Sequence, residues 1–154
     1  MVSEWVVESD SPEQTEAAGA GVAAALEPGD VVAVRGDLGA GKTVFVRGAC
    51  RALGVRERVT SPTYTVGHSY AAAAAAVSHL DLYRSSGLTG DEWGDLEPYF
   101  DGAICFVEWP EAGETVLPPA RLRVTIEIGA GDGRLITMRT SDPRLAGALG
   151  HPCT

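Results

Sequence analysis

Short apolar runs punctuated by glycine and proline organise this chain, and two of the runs are apolar throughout. Val31-Val32-Ala33-Val34 and Ala103-Ile104-Cys105-Phe106-Val107 show no alternation, the pattern of strands buried on both faces of a sheet. Glu4–Glu8, around Trp5-Val6-Val7, predicts an opening strand, and Val77–Tyr83 predicts another. In Arg121–Ile128 the residues Leu122, Val124, Ile126 and Ile128 share one face. Asp132-Gly133 is a favourable hairpin turn, with Leu135–Arg139 as the returning strand.

Helical signals fall between these runs. Ser11 as N-cap, Pro12 at the first helical position and Gln14 completing a capping box predict a helix to about Leu26. Its small residues, Gly19 and Gly21 among them, allow close packing. Pro28-Gly29-Asp30 is a turn. A second helix is expected from Lys42 to about Leu53, stopped at Gly54. Leu88–Phe100 predicts one or two short helices, interrupted near Gly94 or Pro98. Val59–Tyr64 contains Pro62 and suits an extended segment or loop. The alanine run Ala71–Ala76 favours helix by propensity. Its neighbours Thr63–Val66 and Val77–Leu80 look like strands, so a tolerant, partly helical connection is expected. The amino-terminal part is thus α/β, and the carboxyl-terminal part adds an antiparallel pair. The 154 residues suit a single domain, with a frayed tail after about 140.

The segment between the first buried run and the second helix carries the chemistry. Gly36-Asp37-Leu38-Gly39-Ala40-Gly41-Lys42-Thr43 fits the phosphate-loop pattern at every fixed position, in the strand–loop–helix setting that pattern requires. Its glycines allow close phosphate approach and its amides converge on oxygens. The helix amino end adds partial positive charge. Lys42 can reach the β- and γ-phosphates of ATP, and the Thr43 hydroxyl can bind Mg²⁺. Asp37 helps to shape the loop. A second acidic group is needed for metal and water, and Glu108 at the end of the Ala103–Val107 run is the first candidate. Asp81, in His79-Leu80-Asp81-Leu82-Tyr83-Arg84, is the next. His79 and Asp81 would share a strand face, with Arg84 just beyond. Either carboxylate can serve as general base. Ser61, Thr63 and Thr65 are hydroxyls in a loop, able to sense a γ-phosphate or to cap turns. Trp109 can pack under a nucleotide, face a partner or simply pack.

Composition narrows the partners. Net charge is −9, which disfavours a phosphate backbone as primary partner. Lys42 is the only lysine among 12 basic residues, and an arginine fork does not replace an ammonium between phosphates. Cys50, Cys105 and Cys153 form neither a disulfide framework nor a zinc pattern; the first two are expected as core thiols. His68, His79 and His151 make no metal triad of recognisable spacing. Met1–Asp10 carries Glu4, Glu8 and Asp10 without a basic residue, unlike a secretory signal, and no apolar run matches a membrane span. A cytoplasmic protein is expected. A magnesium-dependent ATPase fits best. A kinase would need a second substrate pocket, and a nucleotide-dependent binding module would lack turnover.

Four stretches together resemble the bacterial TsaE (YjeE) family: Gly36–Thr43, Ser61-Pro62-Thr63-Tyr64-Thr65, His79–Arg84 and Glu108-Trp109-Pro110-Glu111, in that order and spacing. The resemblance covers roughly Ser11 to Arg139 and departs most at Ala71–Ala76 and Ser85–Leu96. It implies an α/β fold, a P-loop NTPase-like three-layer sandwich whose largely parallel central sheet is extended by antiparallel strands. It implies an ATPase, using ATP and Mg²⁺, needed for N6-threonylcarbamoyladenosine at position 37 of tRNA. Such a subunit docks on the TsaD–TsaB pair and resets it between rounds. By the same resemblance Lys42 and Thr43 take phosphate and magnesium roles, Glu108 is the acidic Mg²⁺ residue and Asp81 serves hydrolysis. Trp109 is linked to activity and Thr15 lies near the adenine. Asp37, Leu38, Gly39, Ala40 and Gly41 complete the nucleotide contacts. Ser61, Thr63, Thr65, His79, Tyr83 and Arg84 form switch-like segments around the phosphates.

Overall fold

The computed structural model describes residues 2–61, 67–73, 75–83, 90–113 and 115–149. Seven strands, β1 Ser3–Ser9, β2 Val31–Gly36, β3 Gly67–Ala71, β4 Ala76–Asp81, β5 Ala103–Glu108, β6 Leu122–Ile128 and β7 Arg134–Thr140, form one sheet of order β1-β7-β6-β2-β5-β4-β3. The four central strands β6, β2, β5 and β4 are parallel. Antiparallel strands extend them on both edges, β7 and β1 on one side and β3 on the other. Helices lie on both faces: α1 Pro12–Ala23 and α2 Lys42–Ala52 on one, α3 Gly90–Phe100 on the other, and α4 Pro143–Leu149 closes the chain. This is the expected α/β sandwich of P-loop NTPase type.

The two uninterrupted apolar runs are the central strands β2 and β5. Their alternate residues enter different cores. Val32, Val34, Ile104 and Phe106 pack with Phe45, Val46 and Ala49 of α2, whereas Val31, Cys105 and Val107 pack with Leu96 and Phe100 of α3. Burial on both sides removes the period-two signal that a half-exposed strand would show.

α1 begins as expected. Ser11 Oγ accepts from Gln14 N–H at 3.2 Å, and Gln14 Oε1 accepts from Asp10 N–H at 2.7 Å, one residue ahead of the usual capping-box donor. Close packing of α1 on α2 rests on Gly19 and Gly48. A Cβ on Gly19 would lie 2.0 Å from Phe45 O, and one on Gly48 would lie 2.0 Å from Glu16 O. Gly21 makes no such approach.

Three local expectations are corrected. Ala71 and Ala76 are the paired ends of the β3–β4 hairpin, and no described residue of the alanine run is helical. Pairing of β3 with β4 and burial of Tyr70 and Val77 override alanine's helix propensity. α3 runs unbroken through Gly94 and Pro98, because Leu96 and Phe100 anchor it on the sheet. The chain is not frayed over 143–149. Leu145 of α4 is fully buried, and Arg144 donates to Ala25 O at 2.5 Å and to Asp30 Oδ2 at 2.7 Å. That contact ties α4 to the turn preceding β2. The strand-like Thr63–Val66 and the residues His151 and Cys153 lie outside the described residues. Cys50 and Cys105 are buried core thiols. Among the described residues no helix is long and apolar enough to cross a membrane.

Candidate functional site

The parallel strands β2, β5 and β4 deliver their carboxyl ends to one edge, where the loop 36–41 joins β2 to α2. Gly41 is the N-cap of α2 with φ 105°, a left-handed conformation costly for any residue with a Cβ. It makes no side-chain cap, and the first turn holds no acidic residue, so the helix end offers amide donors to an incoming anion. At Gly36 a Cβ would stand 2.7 Å from Ile126 O, so only glycine fits where the loop leaves the sheet.

Lys42 is bent back onto this loop. Its Nζ donates to Gly36 O at 2.7 Å and Asp37 O at 2.9 Å, and lies 4.3 Å from the Trp109 ring centroid. Burial lowers its pKa below the ordinary lysine value, an effect opposed by the charges of Glu108, Asp81, Glu111 and Asp37. Those four carboxylates make the ammonium's surroundings acidic.

Thr43 opens α2 and faces the end of β5. Its hydroxyl meets both oxygens of Glu108, at 3.1 Å from Oε1 and 3.0 Å from Oε2. Glu108 is 2% exposed, and its Oε2 also meets Nε2 of fully buried His79. Among the described residues, Nδ1 of His79 is buried without a hydrogen-bond partner. A carboxylate oxygen accepts, so in this contact Nε2 is the donor to Glu108. Asp81 stands opposite Glu108 in the β4–β5 register. Its Oδ2 accepts from Ser61 Oγ at 2.6 Å and its Oδ1 from Tyr83 N–H at 2.9 Å.

Sequence candidates therefore converge on one edge: Thr43, Glu108 and His79 form one hydrogen-bonded set, Ser61 and Asp81 a second on the neighbouring strand, and Lys42 lies against the loop and Trp109. Trp109 packs on Tyr83 with centroids 4.8 Å apart and has φ 55°, the only positive φ of a non-glycine among the described residues. Thr15 is buried in α1, its hydroxyl 2.7 Å from Ser9 Oγ. Its methyl lies 3.8 Å from where a Gly41 Cβ would be, so it flanks the loop. Asp37, Leu38 and Gly39 are exposed on the loop and Ala40 is buried beneath it. Thr63, Thr65 and Arg84 lie outside the described residues. The residue that sequence reasoning missed is Arg134, which opens β7 and donates to Ala40 O at 2.9 Å and Gly39 O at 3.3 Å. It lies 94 positions from Ala40, in a hairpin with no motif of its own.

The parallel sheet, the glycine-rich turn into α2 and the acidic residue closing β5 define a P-loop NTPase-like protein. Residues 9–136 match the family described as threonylcarbamoyl adenosine biosynthesis protein TsaE. The TsaE protein of Bacillus subtilis is 41% identical over 130 residues, covering 82% of this chain and 80% of that protein. That of Treponema pallidum is 34% identical over 131 residues, covering 84% of this chain and 96% of that protein. The crystal structure of Bacillus subtilis YdiB superposes with a TM-score of 0.81 at 34% identity, covering 97% of this chain and 94% of that one. The chain belongs to the TsaE family.

Proposed function

We propose that this chain is a magnesium-dependent ATPase that binds ATP on the 36–43 loop and serves N6-threonylcarbamoyladenosine formation in tRNA. One observation carries the reading. The hydroxyl of Thr43 lies against both oxygens of a buried Glu108, directly below a helix amino end rich in amide donors. A hydroxyl that donates to the carboxylate keeps its oxygen lone pairs for a cation. Thr43 and Glu108 are thus the residues that would hold a magnesium ion.

Each residue then has a task. Amides of Gly39, Gly41, Lys42 and Thr43 cradle phosphate oxygens. Lys42 exchanges its contacts with the Gly36 and Asp37 carbonyls for the β- and γ-phosphates. Mg²⁺ held there would supply charge neutralisation at the transferring phosphoryl group. Glu108, held by Thr43 and His79, and Asp81, held by Ser61 and the Tyr83 amide, orient metal and attacking water. Ser61 links the segment after α2 to Asp81, a route by which phosphate state can reach the switch-like residues Thr63, Thr65, Tyr83 and Arg84. Trp109 lies beside the ammonium and Thr15 beside the loop, on the side assigned to the adenine.

Family membership supports docking on the TsaD–TsaB pair, with hydrolysis resetting that pair between rounds. The acidic surface suits a basic protein partner better than tRNA. ATP turnover and tRNA modification, measured with and without TsaD–TsaB, test the proposal. Lys42→Ala should lose ATP binding, and Asp81→Ala and Glu108→Ala should bind ATP but turn over slowly. Phosphate transferred to a metabolite, or wild-type turnover in Glu108→Ala, would overturn it.

A further inference from the structure

Four backbone carbonyls converge on Arg134, and the ATPase reading uses none of them. Arg134 Nε donates to Ala40 O at 2.9 Å and Nη2 to Gly39 O at 3.3 Å. Nη1 donates to Gly133 O at 2.8 Å and to Gly131 O at 3.3 Å. A single guanidinium therefore joins the crown of the phosphate loop to the turn between β6 and β7.

Peptide planarity converts this clamp into a statement about donors. In a trans peptide the C=O of one residue and the N–H of the next point in opposite directions. Holding the Gly39 and Ala40 carbonyls towards Arg134 aims the Ala40 and Gly41 amides away from it, into the loop. The Ala40 amide already bonds to Asp37 O at 3.0 Å, which leaves the Gly41 amide as the donor the clamp presents. Lys42 grips the other end of the same loop through Gly36 and Asp37. The two cations differ in consequence. Lys42 must release its carbonyls to reach phosphates, whereas nothing in phosphate binding requires Arg134 to release its own. Lys42 holds one pair of carbonyls, whereas the planar fork of Arg134 reaches two separate segments at once, Gly39 with Ala40 and Gly131 with Gly133, a span that a single ammonium does not reproduce.

We propose that Arg134 is a positioning residue that presets the phosphate-loop amides for nucleotide and couples loop occupancy to the β6–β7 turn. The proposal rests on the nucleotide-binding reading, and its test separates the two. Binding of a fluorescent ADP analogue, steady-state ATP turnover and amide hydrogen exchange are measured on the full chain. Wild type, Arg134→Met, Arg134→Lys and Lys42→Ala are compared. Arg134→Met should weaken nucleotide affinity about ten-fold, the order expected for lost charge-assisted hydrogen bonds. Its KM should rise while kcat at saturating ATP stays within about two-fold, since no reacting atom is touched. Arg134→Lys should recover only part of the affinity. Nucleotide should slow exchange at 130–133 in wild type but not in Arg134→Met. Wild-type affinity and unchanged hairpin exchange in a folded Arg134→Met would overturn the proposal. So would a fall in kcat with KM unchanged. Should Arg134→Met fail to fold, the Lys variant decides alone: full wild-type affinity there overturns the fork argument. No binding by wild type would sink the phosphate-loop reading itself, and the positioning role with it.

Discussion

The two faces of the central sheet end differently. Towards α2, strands β4 and β5 finish in His79, Asp81 and Glu108. Towards α3, Leu80 and Val107, with Leu82 just past β4, stand at the same level. His79 and Glu108 are as buried as their apolar counterparts, Asp81 is half-buried, and each strand supplies both faces. A buried carboxylate and imidazole contribute less to stability than apolar side chains of the same volume, because each gives up hydration. Their concentration on the α2 face, at the level of the phosphate loop, is where the proposed reading places the chemistry.

The largest expected effect tests whether the apolar body under the site carries the fold. Phe106→Ala removes a fully buried ring two residues before Glu108. It should cost about 3–5 kcal/mol in denaturant unfolding. Leu80→Ala on the α3 face should cost about 2–5 kcal/mol, so the two faces are comparable below the site. A loss under about 1 kcal/mol at Phe106 would break that equivalence.

Next, Glu108→Ala should lower turnover about 10²–10³-fold on the proposed reading, an order typical of losing one preorganised electrostatic group. The corresponding change on the other face, Val107→Ala, should leave kcat within about three-fold while reducing stability. Equal kinetic effects would erase the distinction between the faces. A smaller effect is expected from Glu108→Gln and His79→Ala. Removing His79 leaves one Glu108 oxygen without its ring donor and should cost about 1–3 kcal/mol. Glu108→Gln, isosteric and uncharged, should cost less in stability than His79→Ala while still impairing turnover. The reverse order in thermal unfolding would show that the carboxylate, not its donor, organises the pair.

The smallest effect concerns Cys50 on α2. Burial raises its pKa from an ordinary 9.0 to about 12. Between those values the native thiol retains a proton that the unfolded one has lost. Stability is therefore fully present below about pH 9 and falls as pH rises towards 12. Cys50→Ala should flatten that alkaline slope, and native Cys50 should resist alkylation at pH 8. Rapid labelling of the folded protein would contradict the burial.

Local chemistry was legible wherever it is set by neighbours in the chain. The phosphate-loop spacing, the Ser11 cap, the hairpin at Asp132-Gly133 and the apolar strands β2 and β5 could all be read from the sequence. The four family stretches further indicated Asp81 and Glu108. The alanine run, Pro98 and the residues after 140 were misread because their conformations are decided by what packs on them. Strand pairing overrides alanine's propensity, Leu96 and Phe100 hold α3 across its proline, and Arg144 docks α4 on a turn more than a hundred residues earlier, a separation of 114 from Asp30.

The sequence by itself determined the phosphate-loop pattern at 36–43 and the Ser11 cap, because loop geometry and helix capping are short-range properties. Only the tertiary structure decided that His79 holds Glu108, that Ser61 holds Asp81 and that Arg134 braces the loop from a distant hairpin. Those contacts arise from strand order and register, which bring together side chains that no spacing along the chain relates.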